Sequence, residues 1–183
     1  MQTAQKVPFT YQDYLLLPED KRYELVNGEL CMTPSPTSKH QEVVANLYDA
    51  LRHFIRTRKM GKVFIAPLDV VLSEEDVVQP DLFFIPQKNH HLIQEKNVMG
   101  VPDLVVEVLS PGTAQRDRVL KRKLYHRYGV REFWIVDPVA KTIEVIGWKG
   151  SDFQTLQVYP ENAILRSPLL EGFDLRISEI FED

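Results

Sequence analysis

Glu107 is the residue that first asks for an explanation. It lies in 101–111, VPDLVVEVLSP, a run that otherwise reads as a buried β-strand. A glutamate is seldom fully buried unless something pairs with it, because an isolated ionised group is costly to desolvate. Side chains alternate along a strand, so Asp103, Val105, Glu107 and Leu109 share one face, and Leu104, Val106 and Val108 the other. Asp103 and Glu107 are roughly 13 Å apart at strand spacing, too far to share one metal ion. A partner for Glu107 must come from a neighbouring strand, about 4.8 Å away. The candidate is Asp81, in 78–85, VQPDLFFI. Pro80 cannot donate a ladder hydrogen bond and marks a strand start or an irregularity. Two carboxylates held close repel unless a cation or a shared proton sits between them. A hard divalent ion with oxygen ligands, most simply Mg²⁺, would offset the cost of Glu107. The other readings are an arginine or lysine paired with Glu107, or a sheet edge facing water. Asp103, beside Pro102, reads as a turn residue at the strand's entry.

The helix predicted after Glu107 adds a cation. Asp117, Lys121 and Tyr125 recur every four residues and stack on one face, while Leu120, Leu124 and Tyr128 occupy the adjacent, core-facing one. The connection from the strand is short, so Lys121 begins near the same end of the sheet and its stem can reach the carboxylates. The plainer alternative is an Asp117–Lys121 surface pair worth a few tenths of a kcal/mol.

The elements that must position these groups follow from local pattern. Thr10 caps a short helix over 11–17, ended by Pro18. Asn27-Gly28 joins two apolar-alternating arms within 23–32, a hairpin signal. Ser38 opens a long helix with Gln41 at capping-box spacing, and Gly61 ends it. Val44, Leu47, Tyr48, Leu51, Phe54 and Ile55 form its apolar face. Strands are predicted over 62–72, 77–85, 104–109, 132–136, 142–148 and 153–159. The polar stretch 86–100 reads as a surface loop with a short helix, and the tail after Pro160 carries the weakest pattern. The order suggests an α/β or α+β domain, a mixed sheet with helices packed on it.

Composition narrows the setting. A chain of 183 residues, 44% apolar, is long enough for one domain, 1–183, with a real core. No apolar run approaches a membrane span and no export signal is visible. A single cysteine, Cys31, excludes an internal disulfide framework and any multi-cysteine zinc site, and fits a cytoplasmic setting. The net charge of −4 argues mildly against nucleic acid. Two basic groups run the other way. One is Arg52, Arg56, Arg58, Lys59 and Lys62. The other is Arg116, Arg118, Lys121, Arg122, Lys123, Arg127 and Arg131, opposed only by Asp117 and Glu132. They read either as phosphate-holding patches or as solvated helix faces.

Taken together these motifs are familiar. Pro80-Asp81, 106–111 (VEVLSP), Asp117, Lys121, Tyr125 and 129–138 (GVREFWIVDP) resemble a large bacterial family of restriction-endonuclease-like proteins in the PD-(D/E)XK nuclease superfamily. The opening 23–29 (YELVNGE) and His40 resemble it too, so the likeness runs from about Thr10 to Trp148. It implies a restriction-endonuclease-like mixed β-sheet flanked by helices, with Asp81 as first acid, Glu107 as second, and a nearby lysine. In the superfamily's usual pattern that lysine follows the second acid by two residues, where this chain has Leu109. The resemblance places it at Lys121 instead.

The implied activity is phosphodiester hydrolysis of DNA, with Asp81 and Glu107 holding Mg²⁺ or Mn²⁺ and Lys121 orienting water or stabilising charge. Arg116, Arg118, Arg122 and Lys123 would hold flanking phosphates. His40 either positions a water or carboxylate or is a structural histidine. Glu42 is a lesser acidic candidate. Tyr125 and Trp134 read as packing aromatics, and Asp137 as a turn residue. A homodimer would suit two-strand cleavage. A catalytically silent nucleic-acid- or protein-binding module with the same fold is the alternative. A two-carboxylate hydrolase of the glycosidase kind is a third reading. The chain has no G-x-S-x-G elbow, no H-E-x-x-H helix and no phosphate-binding glycine loop.

Overall fold

The computed structural model describes residues 7–18, 21–110 and 117–182, and the side chain of Asp117 is outside that description. The short helix α1 (Tyr11–Tyr14) starts at Thr10, whose side chain and that of Asp13 close a capping box. The hairpin forms as expected from β1 (Tyr23–Val26) and β2 (Glu29–Met32). Asn27 and Gly28 turn it with φ of 52° and 67°, the left-handed pair that matches the twist of the arms. A Cβ at Gly28 would overlap Pro8, so this turn needs glycine twice over.

Helix α2 (Ser38–Thr57) is capped by Thr37, not Ser38, through a hydrogen bond from the His40 backbone N–H to the Thr37 side chain. Ser38 is thus the first helical residue and the predicted capping box with Gln41 is absent. The helix ends at Thr57, earlier than Gly61, and Lys59 takes the left-handed conformation at φ 55°.

Two of the predicted strands break in two, and the breaks build the fold. The stretch 62–72 becomes β3 (Gly61–Ile65) and β4 (Asp69–Ser73), interrupted at Pro67. The stretch 77–85 becomes β5 (Asp76–Val78) and β6 (Leu82–Pro86), interrupted at Pro80. Each proline lacks a ladder donor, so the chain leaves one sheet there and enters another. The Ala66 N–H donates to the Asp81 carbonyl at 3.0 Å, tying the two crossings together.

Residues 86–100 carry a 3-10 turn (Gln87–Leu92) and β7 (Asn97–Met99). Then come β8 (Leu104–Val108), a π-helical turn (Asp117–Lys121), α3 (Arg122–Arg127), β9 (Glu132–Asp137), β10 (Thr142–Lys149) and β11 (Asp152–Pro160). The tail adds β12 (Ile164–Arg166), β13 (Asp174–Arg176) and α4 (Ser178–Phe181).

The larger sheet has the order β11-β10-β9-β8-β6-β3, with β8 and β9 parallel and the other pairs antiparallel. The smaller has the order β2-β1-β5-β4-β7, its only parallel pair being β4 with β7. Helix α2 and the tail cover one face of the larger sheet, where Leu104, Val106 and Val108 point. Val105 and Leu109 point to the opposite face, packed with Leu124 and Tyr125 and with Val70 and Val78 of the smaller sheet. The faces of β8 are therefore those that alternation predicts. No helix among the described residues is long and apolar enough to cross a membrane.

Candidate active site

The pairing of β6 with β8 brings the two carboxylates together. Leu82 stands opposite Val106 in an antiparallel register, so one further step sets Asp81 beside Glu107. Asp81 belongs to the corner preceding β6 rather than to the strand itself, and its side chain turns back onto β8. Its Oδ2 accepts the Val108 backbone N–H at 2.8 Å and His40 Nε2–H at 3.2 Å. Its Oδ1 takes no hydrogen bond among the described residues. Both acids line one cleft of about 60 Å³ where the two sheets meet, room for a few water molecules.

Glu107 is 3% exposed, and what accompanies it is now explicit. Its Oε1 accepts Lys121 Nζ at 2.7 Å and the Tyr125 hydroxyl at 2.7 Å. Lys121 is itself 3% exposed and donates a second bond, 2.9 Å, to Glu24 Oε1. Lys121 is thus a buried member of this cluster, and the side chain of Asp117, its alternative surface partner, lies outside the described residues. The π turn and the first turn of α3 set this up, since Lys121 and Tyr125 are four residues apart and both reach the same carboxylate oxygen. Leu109, two residues after Glu107, is buried among apolar side chains. The ammonium group beside Glu107 comes from the following helix.

Glu24 is the member that sequence reasoning passed over. It is 1% exposed, in a strand whose other inward residues are apolar, and it also accepts the Gln79 backbone N–H at 3.0 Å. The signal available was the one that flagged Glu107, a glutamate inside an apolar strand pattern, but β1 is only four residues long. Gln79 was also missed. Its side chain donates to Asp69 Oδ1 at 2.7 Å and accepts from Arg22 Nε at 3.2 Å. Asp69 in turn accepts the Tyr14 hydroxyl at 2.9 Å. Tyr125 was read as packing alone. It does pack edge-on against Phe133, and its hydroxyl also holds Glu107.

His40 is buried in the first turn of α2, facing Asp81. Burial alone would lower its pKa, but the hydrogen bond to Asp81 and that carboxylate's charge raise it above the usual histidine value. Its Nδ1 is buried and has no hydrogen-bond partner among the described residues. Glu42 points away from the cleft and pairs with Lys39 at 3.9 Å.

The basic residues after Glu107 are arranged differently from a free cationic patch. Arg118 pairs with Asp137 at 3.0 Å and with Glu144 at 3.4 Å. Arg122 lies 3.7 Å from Glu144 and bonds the Thr155 hydroxyl. These acids lie far along the chain, so the group is not opposed only by Asp117 and Glu132. Lys123 is exposed, and Arg116 lies outside the described residues. Asp103 sits at the entry to β8 as a turn residue and pairs with Arg131 at 2.9 Å. Asp137 accepts the Val139 and Ala140 backbone N–H groups, as a turn aspartate does. Trp134 is fully buried.

The donor set of the cleft suits a hard cation: carboxylate oxygens from β8 and from the corner before β6, with Asp81 Oδ1 accepting no hydrogen bond among the described residues. Among the described residues no three His, Cys, Asp or Glu side chains converge on a common point. A cation here would be held by one or two carboxylates and complete its shell with water and substrate oxygens, as Mg²⁺ commonly does.

Comparison with known proteins agrees with this architecture. A family model described as "Uma2: Putative restriction endonuclease" matches residues 11–178. Among solved structures, the chain is similar to one titled as a putative nuclease belonging to DUF820 from Anabaena variabilis ATCC 29413. The TM-score is 0.79 at 20% sequence identity, over 95% of this chain and 98% of that one. No curated protein matches.

Proposed function

The chain belongs to the Uma2 family of restriction-endonuclease-like proteins, and from that premise we propose that it is a metal-dependent DNA endonuclease. The observation that carries the reading is the buried Lys121 ammonium 2.7 Å from Glu107, in the cleft that Asp81 also lines. A nuclease of this superfamily needs two acids and a lysine in one place. Here the lysine arrives from the helix.

Asp81 and Glu107 would hold a divalent cation, Mg²⁺ or Mn²⁺, with the open Asp81 Oδ1 as the first oxygen offered. When bound, such an ion polarises a phosphoryl oxygen and lowers the pKa of a coordinated water. Lys121 gives the cleft a fixed positive charge where negative charge builds on the phosphoryl oxygens. Glu24 and Glu107 hold that ammonium from two sides, so it cannot swing away. Tyr125 sets the orientation of Glu107. His40 and the Val108 N–H do the same for Asp81 through its shared Oδ2, and Oδ1 accepts no hydrogen bond among the described residues. Two copies acting on a duplex would cut both strands, which makes a homodimer part of the reading.

Supercoiled plasmid incubated with the protein should be nicked in Mg²⁺ or Mn²⁺ and spared in EDTA. Glu107→Gln should lower the rate at least about 10²-fold. Glutamine keeps an acceptor for Tyr125 and Lys121, so the melting temperature should stay near that of wild type. Tight DNA binding by the wild type with no cleavage in either metal would replace the endonuclease with the silent binding module.

A further inference from the structure

Arg22 differs from the arginines that follow Glu107 along the chain. It is partly buried at the cleft wall, with Glu24, Asp81 and Lys121 among its neighbours there. Arg118, Arg127 and Arg131 each meet a carboxylate. Arg22 meets none among the described residues. Its Nε donates to Gln79 Oε1 at 3.2 Å, and its two terminal nitrogens have no protein acceptor there. Gln79 is in turn fixed by Asp69, at 2.7 Å from its Nε2. Among the described residues the guanidinium is therefore oriented at its inner edge and uncommitted at its outer one.

Thr33 supplies an independent sign. Its hydroxyl is buried, belongs to a residue that lines the same cleft, and has no hydrogen-bond partner among the described residues. The β1–β2 register pairs Tyr23 with Met32, and one step beyond it the Thr33 N–H donates to the Arg22 carbonyl at 2.9 Å. Arg22 and Thr33 are thus cross-strand neighbours at the mouth of the hairpin. By alternation they share its face with Glu24. A buried hydroxyl without a partner is costly unless something in the cleft satisfies it.

We propose that Arg22 and Thr33 form a phosphate subsite that grips the DNA backbone beside the acidic centre. The reasoning rests on the endonuclease reading for the identity of the strand, and on the hairpin geometry for the subsite itself. The two terminal guanidinium nitrogens match two non-bridging oxygens of a phosphodiester, and the threonine hydroxyl can donate to one of them. Charge supports the same placement. Three carboxylates, Glu24, Asp81 and Glu107, line the cleft and would repel a polyanion, and Lys121 is committed to two of them. A cation whose outer nitrogens meet no carboxylate among the described residues, as at Arg22, is what a strand entering this cleft needs. Arg118 and Arg122, already paired with acids, are less suited to the task.

The test separates the subsite from catalysis. Binding of a fluorescently labelled duplex oligonucleotide is measured by anisotropy in EDTA, so that no cutting occurs, across a range of salt concentrations. Arg22→Met should weaken binding about tenfold and lower the salt slope by about one, the loss of a single phosphate contact. Arg22→Lys should restore the slope but only part of the affinity, since it keeps the charge and loses the planar fork. Thr33→Val, nearly isosteric, should weaken binding about threefold with an unchanged slope, and it serves if Arg22→Met folds poorly. Inorganic phosphate should compete more weakly with the oligonucleotide on Arg22→Met than on wild type.

Affinity and slope unchanged in both Arg22→Met and Thr33→Val overturn the subsite, as does a wild type that binds no oligonucleotide. The expected shifts in a wild type that never cleaves would uphold the subsite and remove the endonuclease. Metal-dependent cleavage with an unmoved KM in both variants would do the reverse.

Discussion

At the level of single residues, Lys121 and Glu132 show two ways to keep a buried charge. Lys121 sits between Glu24 and Glu107 with bonds of 2.9 and 2.7 Å, all three nearly inaccessible to water. Removing the ammonium leaves two buried acids facing one another. Lys121→Met should therefore cost about 3–5 kcal/mol in a denaturant titration, besides abolishing any cleavage. An unchanged midpoint would mean that the cluster is wetter than its geometry indicates. Glu132 has no cation in hydrogen-bond contact among the described residues, only the more distant charge of Arg131. It is 2% exposed, and accepts from Trp134 Nε1 at 2.6 Å, Ser167 Oγ at 2.8 Å and the Leu169 N–H at 2.8 Å. Burial raises its pKa, and those three donors together with the Arg131 charge only partly oppose the rise. With the folded pKa above the unfolded one, the folded state binds the proton more tightly. Its contribution to stability is therefore greatest below the unfolded value and falls as pH rises through the folded one. Glu132→Gln cannot titrate. The melting temperature of wild type minus that of the variant should thus shrink from mildly acidic to neutral pH, and a flat difference would contradict the assignment.

At the level of elements, the site depends on pieces far apart in sequence being latched to one another. Asp76, 2% exposed at the start of β5, is one such latch. It accepts the Asn27 backbone N–H at 2.8 Å from the hairpin turn, the Tyr128 hydroxyl at 2.6 Å and Arg127 at 2.7 Å from the end of α3. The same hairpin carries Glu24, and the same helix follows Lys121 and carries Tyr125. Asp76→Ala would release both ends and leave the part-buried Asn27 backbone N–H without its acceptor. The expected loss is about 1–3 kcal/mol by denaturation. Hydrogen exchange should quicken at Asn27 more than in β8. Equal quickening across both would show that Asp76 supports the whole fold and not this junction.

At the level of the whole molecule, the tail after Pro160 is part of the core. Leu165, Leu170, Phe173, Leu175, Ile177, Ile180 and Phe181 are all buried against α2 and the larger sheet. Each such side chain contributes about 1.5–3 kcal/mol when fully buried. Together, at roughly 10–21 kcal/mol, they equal or exceed the net stability of an ordinary domain, about 5–15 kcal/mol. A chain ending at residue 161 should accordingly lose its cooperative thermal transition and its near-ultraviolet circular dichroism. Retention of both would show that the sheet and α2 hold without this cover.

The sequence alone determined whatever depends on neighbours along the chain. Alternation set the two faces of β8 and flagged Glu107, Asn27-Gly28 specified the hairpin, and the helical period specified α2. The ordered motifs pointed to the family that the comparison then showed. Tertiary structure decided what depends on which strands lie side by side. Pro67 and Pro80 could be seen as interruptions, but not that the chain changes sheets at each. Lys121 could be seen to begin near Glu107, but not that Glu24, 97 residues earlier, holds its other side. The acids that neutralise Arg118 and Arg122 were invisible for the same reason. Local preferences act over a few residues, whereas an ion pair or a cleft is specified by distances across strands, and those exist only once the sheets have paired.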